Sequence, residues 1–303
     1  MTALRIAWRV GRIELAMVLA SGIVLASGSV LWALVLNSAN PGCIDVGSGT
    51  GCFDRAFLGL ASYSAGFELA NRLYPGLAGA LLGVIVVGRE IEVGTAQFSW
   101  SVALSRPRWL IERGVATALP FLGVLVILSV TSVVIWSAAH PGVRADASLP
   151  GFGTRGPSVV ARGIASYCMA ILIGAALARV LPAFLAAAFV ALPIALLGLG
   201  LATVGITPEA LDVLSPPRVV GEPLVLDERY RAPDGSLVSW EDAVALAPQG
   251  VSADEWAYQR SVAVGIPGTR YPEVALRELA WMAGLSAASA AGAMWLVSRR
   301  RPH

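Results

Sequence analysis

Residues 88–114 read "GREIEVGTAQFSWSVALSRPRWLIERG", with seven charged side chains between two of the most apolar runs in the chain. If those runs are membrane spans, the stretch is a charged connection lying at one membrane surface. Its meaning therefore depends on whether the rest of the chain is built for lipid.

Composition favours lipid. The chain has 303 residues, 56% hydrophobic and 14% charged, and its mean hydropathy is +0.70. A soluble domain carries about 25% charged residues. All 22 basic side chains are arginine, and the net charge of +2 gives no reason to expect a nucleic acid partner. The composition is that of an integral membrane protein.

A membrane helix needs about 20 apolar residues to cross roughly 30 Å of hydrocarbon. Six segments meet this, at about 13–36, 67–88, 114–138, 159–178, 180–205 and 275–297. The first is too long for the apolar core of a signal peptide, about 7–15 residues, and is read as a retained span. The second carries Glu68 and Arg72, spaced for an i,i+4 pair, and is interrupted at Pro75-Gly76. The fourth and fifth are divided only by "ARVLP" at 178–182, a tight turn.

Arginine distribution sets the orientation. With the N-terminus inside, the short inner segments 1–12, 89–113, Arg179 and 298–303 hold 11 arginines in 44 residues; the outer segments 37–66, 139–158 and 206–274 hold 8 in 119. Both termini are thus expected in the cytoplasm. Arg72, Arg162 and Arg277 fall near outer span ends, where a long side chain can snorkel to the interface. The outer loop "NPGCIDVGSGTGCFD" contains Cys43 and Cys52. A disulfide closing it suits an oxidising compartment, with two unpaired thiols as the alternative. Cys168 lies in an apolar run, as a small core residue does.

The fold class expected is an all-α membrane protein, six transmembrane helices with a small α+β extracytoplasmic insertion between helices five and six. It divides into 1–205 (helices one to five, with the segment 89–113), 206–274 (the insertion) and 275–303 (helix six and a cytoplasmic tail). The insertion is net acidic, with 11 carboxylates against 5 arginines. Within it, "LVLDERYRAPDGSLVSW" at 224–240 reads as strand, Pro-Asp-Gly turn and strand. "SWEDAVALA" reads as a short helix capped by Ser239, and Ser252 is placed to cap another.

Signals for an enzyme are thin. The two histidines are His140, in an outer loop, and His303, the last residue; no His/Cys/carboxylate cluster has metal-ligand spacing. "GSGTG" at 47–51 lacks the Lys-Ser/Thr of a phosphate cradle. No span carries a charge at mid-depth, which disfavours a proton-coupled transporter. Gly79 and Gly83, four apart in the second span, and "GLSAASAAGAMW" in the last let helices approach closely, within one bundle or at a subunit interface.

Within the opening stretch, 89–104 reads as a helix weakened or bent at Gly94. Ser105 is an N-cap for a second helix with Pro107 in its first turn. A plain interfacial loop, anchored by Trp100 and Trp109, is the alternative.

"EVGTAQFSWSVALSR" at 92–106 resembles a segment of ABC-2 type transporter permeases, approximately Glu-x-Gly-Thr, seven mostly apolar residues, then Pro-x-Ser-Arg. Glu92, Gly94, Thr95, Ser105 and Arg106 fall in register. The chain departs at Ala103, where proline is common, and at Arg113, where lysine is frequent. The six-span layout and the motif's place between spans two and three are also similar; the 206–274 loop is not covered. The resemblance implies a non-catalytic permease subunit of a bacterial ABC exporter, multi-pass in the cell (inner) membrane. It implies a second permease subunit, identical or homologous, and separate ABC ATPase subunits that bind ATP and Mg; the permease itself binds no cofactor. In such permeases the segment after span two is the coupling helix. Glu90, Glu92, Gly94, Thr95, Phe98, Ser105 and Arg106 are then the expected ATPase-coupling residues, with Trp100 an apolar anchor there or in the membrane. Few polar groups in the spans suggest an apolar or amphipathic cargo, a drug, lipid or peptide, moved by alternating access. A membrane anchor or immunity protein, or a membrane enzyme with its site in the outer loop, is the alternative.

Overall fold

The structure is a computed structural model that describes residues 3–39, 55–95, 105–203, 212–213, 224–248, 252, 256 and 260–300, and the statements below concern these. In chain order the elements are α1 (Ala3–Ala39), α2 (Arg55–Glu92), α3 (Arg106–Ala139), α4 (Pro157–Leu177), α5 (Val180–Thr203), β1 (Asp212–Val213), β2 (Leu224–Arg231), β3 (Leu237–Val238), α6 (Trp240–Ala245), β4 (Ser261–Ile266) and α7 (Tyr271–Arg299). Short 3-10 turns precede α4, at Ala145–Ala147, and α7, at Gly268–Arg270.

Five helices, α1, α2, α3, α4 and α7, are long and apolar enough to cross a membrane; the described apolar part of α5, Val180–Leu196, is shorter. At 1.5 Å per residue the 38 residues of α2 span about 57 Å, well beyond a hydrocarbon core. Helices longer than the bilayer tilt or project into the headgroup layer. Large apolar side chains are left uncovered on the outside of the bundle. Leu181, Leu185, Phe189, Leu192 and Leu196 form one exposed stripe along α5, with Phe189 78% accessible. Such a stripe aggregates in water and is stable in lipid.

α2 packs most extensively on α4, α1 on α3, and α4 on α7. Glycines explain the α2–α4 seam. A Cβ on Gly79 would stand 2.6 Å from the Gly163 carbonyl oxygen, and one on Gly83 2.4 Å from that of Tyr167. A step of four on α2 matches a step of four on α4, so the helices run parallel with their backbones in contact. Lipid tails give no hydrophobic drive for helix association, so close van der Waals contact of this kind holds the pair. Beside that seam, Ala80 and Val84 meet Ala170 on α4 and Ala183, Ala187 and Ala191 on α5. The spacing of Gly79 and Gly83 thus serves packing within one chain.

At one end of the bundle β1–β4 form an antiparallel sheet in the order β1-β4-β2-β3, with a register shift between Val225 and Asp227. The sequence reading found β2 and β3 and missed β1 and β4. In the turn between β2 and β3, Asp234 accepts from the Ser236 N–H (3.0 Å) and hydroxyl (2.7 Å), and Gly235 has φ 88°. Those donors hold the Asp234 carboxyl below the usual carboxylate range. Ser239 caps α6, accepting from the Asp242 N–H at 3.3 Å. Of the second capped helix only Ser252 and Trp256 are described; the Trp256 N–H donates to the Ser252 carbonyl at 2.9 Å.

The sheet rests on the bundle through Ile266 and Leu224, which pack with Leu149, Phe152, Tyr271 and Val274. The loop supplying Leu149 and Phe152 is organised by Arg155, 1% exposed. Its guanidinium donates to the carbonyls of Ala145 (3.3 Å), Pro150 (2.9 Å) and Ser148, and lies 3.9 Å over the Trp136 ring.

Arg162 corrects the sequence reading. It does not snorkel: it is 2% exposed, and its Nε donates to Glu278 Oε1 at 2.6 Å. Glu278, fully buried, also accepts from the Ser158 hydroxyl. A guanidinium near a span end turns inward when a buried counter-charge on a neighbouring helix outcompetes the interface. Arg277, by contrast, is only partly buried and pairs with Glu273 one turn away at 2.8 Å. Cys43 and Cys52 lie outside the described residues.

These contacts predict an asymmetry among glycine substitutions. Gly79→Ile and Gly83→Ile force backbones apart and should each cost about 1–3 kcal/mol or more, as overpacking does. Gly123→Ala and Gly284→Ala, where an added Cβ meets nothing within 4 Å, should be neutral. Thermal unfolding of the purified protein in detergent checks this; equal losses at all four positions would refute the seam.

Candidate functional site

The motif occupies the end of the bundle opposite the sheet. α2 ends at Glu92, and the chain turns at Gly94, whose φ of 78° stops the helix. The Val93 N–H reaches the Arg89 carbonyl at 3.0 Å and the Gly94 N–H the Ile91 carbonyl at 3.2 Å. A left-handed glycine is the usual way to leave a helix. Residues 89–92 are therefore the last turn of α2 and not the start of a separate helix. The chain re-enters a helix at Ser105, whose hydroxyl accepts from the Arg108 N–H at 3.4 Å, with Pro107 in the first turn. That second helix is continuous with the third apolar run. Residues 96–104, with Phe98 and Trp100, lie outside the described residues.

The charged motif residues mostly meet helix ends. Glu92 is exposed, and its Oε2 accepts from the Val180 N–H at 2.8 Å, the first residue of α5. A carboxylate there satisfies an orphan amide and complements the positive end of the helix dipole. Arg106 donates to the Arg300 carbonyl at the end of α7. Arg300 in turn donates to the Ala176 carbonyl near the end of α4 at 3.3 Å. Cations at C-terminal carbonyls are the complementary arrangement. The two ends of α2 and α3 thus hold the beginning of α5 and the ends of α7 and α4. α5 can start there because the turn from α4 is only two residues long, with Ala178 in the left-handed region at φ 59°.

Two ion pairs complete the site. Arg89 on α2 meets Glu14 on α1 at 2.5 Å, partly exposed. Glu90, one residue on, is 4% exposed and pairs with Arg113 on α3, itself 6% exposed. Glu90 Oε2 is buried without a hydrogen-bond partner. Arg113 lies 5.7 Å over the buried Trp109 ring. Farther out, Arg108 and Glu112 form an exposed i,i+4 pair at 2.8 Å. Thr95 is exposed, its hydroxyl 3.5 Å from the Glu90 carbonyl.

The structure thus divides the expected coupling residues. Glu92, Gly94, Thr95 and Ser105 line the exposed rim, and Arg106 is half-buried beside them. Glu90 lies inside the helix packing and bonds α2 to α3. The sequence reading missed its pairing with Arg113, and also Glu14–Arg89 and Arg106–Arg300. The charges were visible; the partners stand 23, 75 and 194 residues apart. Among the described residues no group of three His, Cys, Asp or Glu side chains is placed to hold a metal.

The buried pair makes a sharp prediction. Glu90→Leu alone should leave a buried guanidinium without its counter-charge and cost about 3–5 kcal/mol. Arg113→Met alone should do the same to the carboxylate. The double variant Glu90→Leu/Arg113→Met should recover most of the loss, since an apolar pair of similar volume fits an apolar surround. Unfolding midpoints of the four proteins in detergent form the double-mutant cycle, and additive losses would exclude the coupling.

No curated protein and no solved structure matches the chain. The description of one family, "ABC-2 membrane transporter related", matches residues 14–200. That match begins at the α1 residue that pairs with Arg89, takes in the whole 88–114 stretch and ends within α5. It leaves out the sheet and α7. Covering more than half the sequence, it means that the chain belongs to the ABC-2 membrane transporter related family.

Proposed function

We propose that the chain is the permease subunit of an ATP-driven ABC exporter, and that Glu92, Gly94, Thr95, Phe98, Ser105 and Arg106 contact a separate ATPase subunit. The observation that carries this is the convergence of helix ends on the motif, in a chain of this family. A protein pressing on the adjoining ends of α2 and α3 acts at once on the start of α5 and on the ends of α4 and α7. Glu90 contributes by fixing α2 to α3, so that the two helix ends move as one piece.

In this reading α5 is a sixth span, both termini are cytoplasmic, and the sheet is extracytoplasmic. The protein resides in the bacterial cell (inner) membrane. Two permease subunits, identical or homologous, associate with two ATPases that bind ATP and Mg. Catalysis belongs to those partners. ATP-driven closure of the ATPases alternates the access of a cargo path, which suits an apolar or amphipathic substrate given the apolar spans. A Cys43–Cys52 disulfide would close the outer loop between α1 and α2.

The test is purification from native membranes in a mild detergent. An ATPase subunit should accompany the wild-type chain in stoichiometric amount. Thr95→Arg changes an exposed position and should leave the unfolding midpoint alone while reducing ATPase recovery at least about tenfold, equivalent to ~1.4 kcal/mol of docking energy. Recovery of a folded wild-type protein with no nucleotide-binding partner would overturn the proposal.

A further inference from the structure

At the sheet end of the bundle, α2, α4 and α5 border a cleft of about 220 Å³. Two arginines line it, Arg72 from α2 and Arg162 from α4, together with Leu149, Phe152, Leu196 and Leu224. Charge there is not balanced. The Glu278 carboxylate is fully engaged by Arg162 and Ser158. Arg162 spends Nε on Glu278 and Nη1 on the Ala195 carbonyl at 2.8 Å, while its buried Nη2 has no hydrogen-bond partner. Arg72 adds a second positive charge to the lining, which contains no carboxylate. The side chains of Asn71, next to Arg72, and Ser166, one turn from Arg162, are also buried without partners.

A buried donor without an acceptor is costly, and the cost rises for a charged group. An arginine's five N–H donors form a fixed fork that matches phosphate oxygens. Two forks on different helices suit a group offering several oxygens better than a lone chloride. The remaining walls are apolar, and pockets that enclose whole drug-sized ligands run to about 300–1,000 Å³. This cleft is sized for a headgroup whose attached chain lies outside it.

We infer that the cleft binds the phosphate head of an amphiphile, with Arg72 and Arg162 taking the phosphate oxygens and Leu149, Phe152, Leu196 and Leu224 flanking the start of its chain. The inference concerns binding by this chain alone. It is read without any ATPase, so its failure and that of the coupling proposal are separable.

The experiment titrates the full chain, purified in maltoside micelles, with three probes: dihexanoyl phosphatidic acid, dihexanoyl phosphatidylcholine and inorganic phosphate. The readout is the unfolding midpoint against probe concentration. Phosphatidic acid should raise the midpoint saturably, and Arg72→Gln should weaken its apparent affinity at least about tenfold, as loss of a charge-assisted fork does. Arg72→Lys, which keeps the charge and loses the fork, should fall between. The double variant Arg162→Met/Glu278→Met removes the second fork without leaving a lone buried charge and should also lose binding. Phosphatidylcholine, whose head is zwitterionic, and inorganic phosphate, which lacks a chain, should each bind at least about tenfold more weakly. Equal binding of phosphatidylcholine would refute the charge recognition. Equal binding of inorganic phosphate would refute the amphiphile. Unchanged affinity in Arg72→Gln and Arg72→Lys would remove the site altogether.

Discussion

A charge inside an apolar bundle has to find its opposite, and the arrangement of this protein follows from how it does so. Burial of an isolated ion costs several kcal/mol even after relaxation. Each charge within the helices must therefore be paired, moved to a helix end or held at the rim. Glu90–Arg113 at one end and Arg162–Glu278 at the other are the paired cases, and each crosses between helices. Glu92 and Arg106 are the helix-end cases. Helix dipoles give these sites a sign: a carboxylate where a helix begins, a guanidinium where one ends. The bundle is thus fastened at its two ends by electrostatics and along its length by close packing of small residues.

This division shows what a one-dimensional reading can reach. Spans and caps are local, so the apolar runs, Ser105 and Ser239 as N-caps, and the bend at Gly94 were legible. Each depends on residues within one turn of one another. The pairing of Arg162 with Glu278 was not, because nothing near residue 162 records a carboxylate 116 positions later on a different helix. Arg155 is likewise buried for reasons that lie outside its own turn of chain: three backbone carbonyls and the Trp136 ring surround it. β1 escaped because it is two residues long, and β4 because its partner β2 lies beyond α6, with Ser261 opposite Tyr230.

The motif resemblance drew attention to the 88–114 stretch, and the family match over 14–200 includes it. The structure separates residues that the sequence had grouped together. Treating its carboxylates as equivalent was the error. Glu90 and Glu92 are two residues apart on a helix, about 200° around its axis, so they face nearly opposite directions. One goes into the packing toward α3 and the other outward to the start of α5. Helical phase alone separates a fastening residue from a rim residue in this pair.

The direct contact of α2 with α4 has a mechanical corollary. Most neighbouring helices are separated by a layer of side chains that can rotate and absorb a small displacement. Where Gly79 and Gly83 lie against the backbone of α4, that compliant layer is missing. From Gly79 toward Glu92 the two helices are then a single stiff beam. Arg72 lies beyond it, at the middle of α2 and past Pro75, 20 positions and about 30 Å from Glu92. A tilt imposed at Glu92 would reach the level of Gly79 nearly undiminished, and the yielding surfaces would have to be those facing α1, α3 and α5.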